Sequence, residues 1–380
     1  MYVNHMVAIE PVPVLQAPIV SEGNRLRKGL VARASLDGGG EGGVSAGLRR
    51  VLSRLPLLER LVEARRIARI ARREECRLLC SFLLKSNRVA ALAKLFFLSD
   101  LPLVVCVHEM LSLHLESAHR SAASRTLHRW IARLVLREAD RIIAVSEGVR
   151  LDLTERLGAS PEKIVVLPNP VDREAVLAAA ARPPSEDPWG EGAGARIVAV
   201  GRLVTIKGFD LLLRAMAALP ESPGARLALI GEGPERGELE NSAERLGLGD
   251  RVRFLGELSR PWTVIARADL FVLPSREDAA PNTLAEAMIL GLPIVAADCS
   301  PGVREMLEGG AAGLLVPPGD PDALALAMER LLGDRALRER LAARASERSR
   351  AHDLEGAVRL FEEILLPLMD RDNHSRSTAL

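Results

Sequence analysis

The stretch RIVAVGRLVTIKGFDLLLRAMAAL, residues 196–219, reads as a strand, a loop and a helix in immediate succession. Its opening run is apolar and rich in β-branched residues, Gly201 punctuates the turn, and Phe209–Leu219 place apolar residues at helical spacing. The pattern recurs downstream. ARLALIG (225–231), RVRFLG (251–256), LFVLPS (270–275), LPIVAAD (292–298) and GLLVPP (313–318) are short apolar runs, separated by amphipathic stretches such as NTLAEAMILG (282–291). Short buried runs alternating with helices imply parallel pairing, because a parallel neighbour is reached through a crossover connection. Residues 196–353 are therefore expected to form a complete doubly wound α/β domain.

Outward from this block, LLCSFLL (78–84), LPLVVCVHE (101–109), DRIIAVS (140–146) and KIVVLPN (163–169) predict a second set of parallel strands. At 380 residues the chain exceeds one ordinary core, so an N-terminal domain over residues 1–180 is expected. The Pro-, Gly- and acid-rich segment ARPPSEDPWGEGAGA (181–195) reads as the linker. A helix over 354–370 is long enough to pack back on the first domain, and residues 371–380 read as a disordered tail. The first 48 residues look irregular, with Pro11, Pro13 and Pro18 and a loop at Gly38–Gly43. Helical spacing runs from about Leu48 to Glu75, where Pro56 implies a kink or a fresh start.

Hydrophobic residues at 48% and charged residues at 27% describe a soluble globular chain, while aromatics at 3% exclude base-stacking platforms. No nucleic-acid partner is expected, since no recognition motif accompanies the basic residues. The net charge of +1 conceals a split: residues 1–180 carry 27 Lys/Arg against 19 Asp/Glu, the remainder 24 against 31. Ten Arg face four Glu between Arg49 and Arg77, which is either a solvated helix face or a surface for anionic headgroups. Cys76, Cys80, Cys106 and Cys299 match no zinc or redox spacing, and a reducing compartment follows. Without an evident signal peptide or spanning helix, the chain reads as cytoplasmic, with peripheral contact at the inner face of the plasma membrane.

In open parallel sheets, ligands bind beyond the carboxyl ends of the strands. Three loops there suit a phosphorylated sugar. Gly201-Arg202-Leu203-Val204-Thr205-Ile206-Lys207-Gly208 sets two cations, Arg202 and Lys207, beside one turn, where they would offset charge on a departing diphosphate. The alternative is two surface cations near a helix start. Gly231-Glu232-Gly233-Pro234 lets a ligand approach, though it is also a common strand-to-helix turn. Pro274–Glu286 is the most informative: a helix starting at Pro281–Thr283, with Asn282 as a capping residue, would turn free N–H groups to a diphosphate. Asp278 precedes that helix and Glu286 lies one turn into it, so both carboxylates could accept from sugar hydroxyls, or serve only as cap and solvated first-turn residue.

GRLVTIKGFDLLLRA, LIGEGPERGELE, RVRFLG, LPSREDAAPNTLAEAMILGLPIVAADCSPGVREML and GLLVPPGDPDALA together resemble the group 1 glycosyltransferases, the retaining nucleotide-sugar enzymes of family 4. ADRIIAVSEGVRLDL (139–153) and KIVVLPNPVD (163–172) extend the resemblance to roughly residues 78–370. It implies a GT-B fold, two Rossmann-like domains facing across a cleft. It also implies donor contacts at Gly201, Arg202, Lys207, Gly231, Gly233, Leu255, Asp278, Asn282, Thr283, Leu284 and Glu286. By the resemblance Arg202 and Lys207 bind the diphosphate, Glu286 the ribose, and Asn282–Leu284 present N–H groups. Asp278 stands where the family has a Glu, one methylene longer. His108, after an N-domain strand, would lie near the transferred sugar; alone, such a His is more often structural. Asp298-Cys299-Ser300-Pro301-Gly302-Val303-Arg304-Glu305 resembles a subgroup using UDP-hexoses or UDP-hexosamines.

No metal or cofactor beyond the nucleotide-sugar co-substrate is implied, and Asp320-Pro321-Asp322 reads as a helix cap, Asp370-Arg371-Asp372 as tail. Family members open with a strand and a glycine-rich loop; this sequence shows no clear strand before Gly38–Gly43, so the N-terminal domain reads as incomplete, or as starting further upstream. The expected activity is transfer to a glycan or lipid-linked acceptor in cell-surface polysaccharide synthesis. A nucleotide-sugar-binding partner without transferase activity and a sugar-nucleotide epimerase are the alternatives.

Overall fold

The computed structural model describes residues 6–9 and 56–377, apart from 119–120, 185–186, 190–193 and 221–223. It divides into two compact units: residues 1–145, 149–167 and 358–380 form one, residues 146–148 and 168–357 the other.

The first unit holds a parallel sheet, β1 (Met6–Ile9), β2 (Leu78–Phe82), β3 (Leu103–Val107), β4 (Arg141–Ala144) and β5 (Ile164–Val166), in chain order. β1 corrects the expectation of an irregular start: MVAI pairs in register with β2, Met6 opposite Leu78 and Ile9 opposite Ser81. Four apolar residues beside Pro-rich sequence show no period of their own, and the pairing comes from the waiting edge of β2. The Gly38–Gly43 loop and Leu48–Leu55 lie outside the described residues. The helix Pro56–Arg73 is described from Pro56 onward; the residues that would distinguish a kink from a fresh start lie outside the described ones. Ala64, Ile67, Ala68 and Ala71 are its buried stripe.

β2 and β3 are buried on both faces, which is why their sequences are continuous apolar runs. Leu78, Cys80, Val104, Cys106 and Ile143 form one face of the sheet, covered by Ile364, Leu365, Leu368 and Met369 from the helix Leu354–Ser377. That helix runs through the stretch read as a disordered tail, since Met369–Ser377 contain no glycine or proline to stop it.

In the second unit all six strands anticipated form: β6 (Arg196–Val200), β7 (Arg226–Ile230), β8 (Val252–Gly256), β9 (Leu270–Leu273), β10 (Ile294–Ala297) and β11 (Leu314–Val316). They are parallel, in the order β11-β10-β9-β6-β7-β8. The chain builds β6, β7 and β8 outward, then returns to the other side of β6 for β9, so the loops after β6 and β9 leave in opposite directions. That topological switch opens a crevice at the carboxyl ends. Ile197 and Ala199 face one core, with Leu212, Met216 and Met328; Val198 faces the other, with Phe271, Leu284 and Val303.

The change of unit falls between Leu167 and Pro168, upstream of the expected linker at 181–195. The reason is burial: Val176 and Trp189 join the second core, and the Trp189 indole donates to the Ile197 carbonyl at 3.1 Å. A segment rich in Pro and Gly can still be anchored by one large aromatic.

Candidate functional site

The site in the second unit begins with two loops locked together. Gly201 N–H donates to the Ile230 carbonyl at 2.9 Å, Leu203 N–H to the Glu232 carbonyl at 2.9 Å, and Glu235 N–H returns to the Leu203 carbonyl at 3.1 Å. The Thr205 hydroxyl donates to Glu235. A Cβ on Gly231 would stand 1.9 Å from the Gly201 carbonyl oxygen, and one on Gly233 would stand 2.3 Å from that of Leu203. These glycines thus admit the neighbouring backbone, a different use from the ligand approach read in the sequence. Leu255, half-buried on β8, packs against the core beneath, next to the register shift between Leu229 and Ile230.

Lys207 ends the short turn Thr205–Lys207, and Gly208 follows with φ +67°; a Cβ there would meet the Pro274 carbonyl at 2.1 Å. This close approach brings the loop after β6 against the loop after β9. The Lys207 ammonium pairs with the Asp278 carboxylate, both largely buried, across 71 residues of sequence. An ammonium has three donors, so Asp278 fixes one and leaves the others for a ligand. Arg202 is exposed and makes no ion pair among the described residues. Ser300 clamps Asp278 from behind, donating to its carbonyl while accepting from Val303 N–H at 3.2 Å as the helix Pro301–Met306 begins.

Sequence reading missed Arg276. Its guanidinium holds Asp210 with two bonds, 2.6 and 2.7 Å, and donates to the Thr205 carbonyl at 2.9 Å. The fork holds the Asp210 carboxyl below the usual carboxylate range and pins the loop after β9 to the helix Phe209–Ala218. No local signal could show it, because 66 residues separate the partners.

The helix Asn282–Ile289 starts with Pro281 as its N-cap and no side-chain cap bond, so Asn282 is exposed and does not cap as expected. Of the three N–H groups expected to meet a ligand, that of Leu284 is taken by the Pro281 carbonyl at 3.1 Å. Glu286 lies one turn in. Burial pushes its carboxyl up to about 7, and the Trp262 indole opposes this from nearby, although its N–H forms no hydrogen bond of normal geometry. Asp278 has a cation partner, whereas Glu286 is buried with no ion pair among the described residues, so the two carboxylates are differently furnished.

His108 stands in the first unit, after β3. A cavity of about 230 Å³ opens there, lined by His108, Glu109, Leu83, Asn87, Ala132 and Leu136 among others. The His108 ring lies 6.1 Å from that of Phe82. Ser81 donates to Asn87 Oδ1 at 2.7 Å and Asn87 Nδ2 donates to the Cys106 carbonyl at 2.9 Å, tying the ends of β2 and β3 beneath the cavity. Among the described residues no group of three His, Cys, Asp or Glu could hold a metal ion; Asp320 caps the helix Pro321–Gly333, accepting from Ala323 N–H at 2.9 Å. Among them, too, no helix is long and apolar enough to cross a membrane.

The family model for group 1 glycosyl transferases matches residues 189–348, and that for glycosyltransferase family 4 matches residues 28–175, further upstream than the motifs reach. An exopolysaccharide phosphotransferase of Streptomyces coelicolor is 35% identical over 63% of this chain and 24% of its own length. The lipopolysaccharide core biosynthesis glycosyltransferase LpsE of Rhizobium meliloti is 37% identical over 40% of this chain and 43% of its own. An alpha-D-kanosaminyltransferase of Streptomyces kanamyceticus is 30% identical over 64% and 65%. The chain thus spans between a quarter and two thirds of these relatives. Among solved structures, Anabaena HepE in complex with UDP and glucose is 26% identical, with TM-score 0.68 over 80% of this chain and 81% of that one.

Proposed function

The chain belongs to the group 1 glycosyltransferases, and from that premise we propose that it moves a sugar from a UDP-hexose or UDP-hexosamine to a glycan or lipid-linked acceptor, with retention at the transferred carbon. The observation that carries this reading is the Lys207–Asp278 pair at the switch between β6 and β9, beside the exposed Arg202. A leaving diphosphate develops charge on its terminal oxygens. A cation already oriented by a buried carboxylate stabilises that charge without reorganising.

In this reading the bond between the anomeric carbon and the β-phosphate oxygen breaks, and its electron pair leaves with the phosphate. The acceptor hydroxyl forms the new bond on the same face and passes its proton to the departing phosphate, so no protein base is assigned. Lys207, Arg202 and the first turn of the helix Asn282–Ile289 take the diphosphate, without a resident metal. Glu286 takes the ribose, Asp278 keeps Lys207 in place, and His108 in the first unit contacts the sugar. HepE, which binds UDP and glucose, supports the donor, and LpsE the role in cell-surface polysaccharide synthesis. The enzyme would work in the cytoplasm at the inner face of the plasma membrane, the basic stretch Arg49–Arg77 adding attraction to anionic headgroups.

Release of nucleoside diphosphate from UDP-, GDP- and ADP-sugars, with and without membrane lipid, tests the proposal. Transfer requires release that depends on lipid and is lost in Lys207→Ala and Glu286→Ala. Binding of a donor without release from any sugar would favour a sugar-nucleotide-binding protein instead.

A further inference from the structure

We propose that the helix Ala122–Glu138 of the first unit docks on an anionic lipid bilayer, with Leu127 and Trp130 entering the headgroup boundary. The helix is anchored to its own unit by Ala132, Val135 and Leu136, all buried. Its opposite side is unusual for a protein with so few aromatics. Trp130 is 61% exposed and Leu127 54%, whereas Trp189 is 2% exposed and Trp262 packs partly against the second core. Thr126, Leu127, Trp130, Arg133 and Arg137 are exposed and recur at helical spacing along one face.

Charge identifies the occupant. The helix carries Arg125, Arg129, Arg133 and Arg137 against the single acid Glu138. Arg129 pairs with Glu116 and Arg137 with Glu138, in half-exposed contacts that a phosphate-rich surface can exchange. Arg133 is exposed without an ion-pair partner among the described residues. An exposed Trp flanked by arginines is the composition of a helix lying in a membrane interface, where the ring sits at headgroup depth and the guanidinium groups meet phosphate. A second exposed apolar corner, Leu95 and Phe96, is brought towards the end of this helix by the Lys94–Asp140 ion pair.

The other basic helix, Pro56–Arg73, lacks this combination. Its exposed positions are Glu59, Arg65, Arg66, Arg69, Arg72 and Arg73, with Val62 as the one exposed large apolar residue among those described. It can attract a charged surface but offers little to insert. A docked Ala122–Glu138 would hold the transferase at the surface where a lipid-linked acceptor resides, and that purpose rests on the proposed function; the docking itself does not.

The full chain is tested for co-sedimentation with phosphatidylcholine vesicles, with and without phosphatidylglycerol, in the absence of donor and acceptor. Binding is expected only with the anionic lipid, together with a blue shift of tryptophan emission and quenching by bromine-labelled lipid. Leu127→Ser/Trp130→Ser should bind about 10-fold or more weakly and lose the quenching. Arg133→Glu should bind roughly 5-fold more weakly or worse, since each basic residue near such a surface contributes about that factor. Thermal unfolding and lipid-free donor binding should match the unsubstituted chain, which separates docking from folding and from the sugar chemistry. Wild-type indifference to phosphatidylglycerol overturns the proposal. So does vesicle binding that survives Leu127→Ser/Trp130→Ser but is lost in Arg65→Gln/Arg69→Gln.

Discussion

The carboxyl ends of the two sheets are furnished differently. In the second unit the loops are fastened by charge: Lys207 to Asp278, and Arg276 to Asp210 and the Thr205 carbonyl. In the first, the loop after β3 borders a cavity lined mostly by apolar side chains, with Asn87, His108 and Glu109 among them and Glu109 paired with His114 at 3.0 Å. The difference fits a division of labour. A polyanion needs cations fixed before it arrives, because reorganising them during the reaction would forfeit their advantage. In the proposed reading, an acceptor would be oriented by the shape of a cavity and a few placed polar groups.

Four experiments sharpen or break this contrast. The largest effect is expected of Gly233→Ala, whose Cβ would stand 2.3 Å from the Leu203 carbonyl. It should destabilise the second unit by about 3 kcal/mol or more in urea unfolding. Gly237→Ala, with open space around it on the helix Arg236–Arg245, should stabilise by about 0.5–1 kcal/mol. Equal effects would mean that the two loops are not fastened as described.

Lys207→Ala should lower nucleoside diphosphate release by ~10²-fold or more. The double variant Lys207→Ala/Asp278→Ala should recover part of the lost stability, by removing the unpaired carboxylate, but none of the rate. Recovery of rate would make the pair structural rather than part of donor binding.

Glu286 sharpens the contrast through pH. Its carboxyl is raised from 4.5 to about 7 by burial, so the folded state holds a proton that the unfolded chain releases earlier. The stabilisation by that proton is full below about pH 4.5 and lost as pH rises through about 7. Stability should therefore fall between these limits, by at most on the order of 3 kcal/mol. The Glu286→Gln variant should be flatter over the same window, and a parallel decline in both would show that burial of this carboxylate is not the cause.

The smallest effect belongs to the first unit. Leu83 holds φ +67° while 43% exposed, at the rim of the cavity. Leu83→Gly should stabilise by about 1 kcal/mol, from relief of the left-handed backbone, offset in part by a more flexible unfolded chain. Destabilisation would show that its side chain contributes more to the cavity rim than its backbone costs.

Much of the fold was legible because strand and helix periods are local. Every strand from β2 to β11 lies within an apolar run recognisable without coordinates, and the turns after β6, β7 and β9 carry their own punctuation. β1 was not legible, since four residues carry no period and only the edge of β2 defines them. Trp189 escaped for a related reason: composition marked its segment as a linker, and the buried indole overruled composition. At the candidate site, Lys207, Asp278 and Glu286 were recognisable as residue types in suitable loops. The Arg276–Asp210 fork and the Ser300 clamp were not, because neither has a neighbouring partner in the chain.

The sequence by itself determined the alternation of strands and helices and the loops that carry cations and carboxylates. All of these depend on residue type and spacing within about a dozen positions. Only the tertiary structure decided that β9 returns to the far side of β6, and that Lys207 therefore meets Asp278. It also decided that Gly231 and Gly233 serve a neighbouring backbone, and that Trp130 faces outward while Trp189 faces in. These are long-range outcomes of packing, in which a residue's role is set by which distant segment the sheet order brings against it.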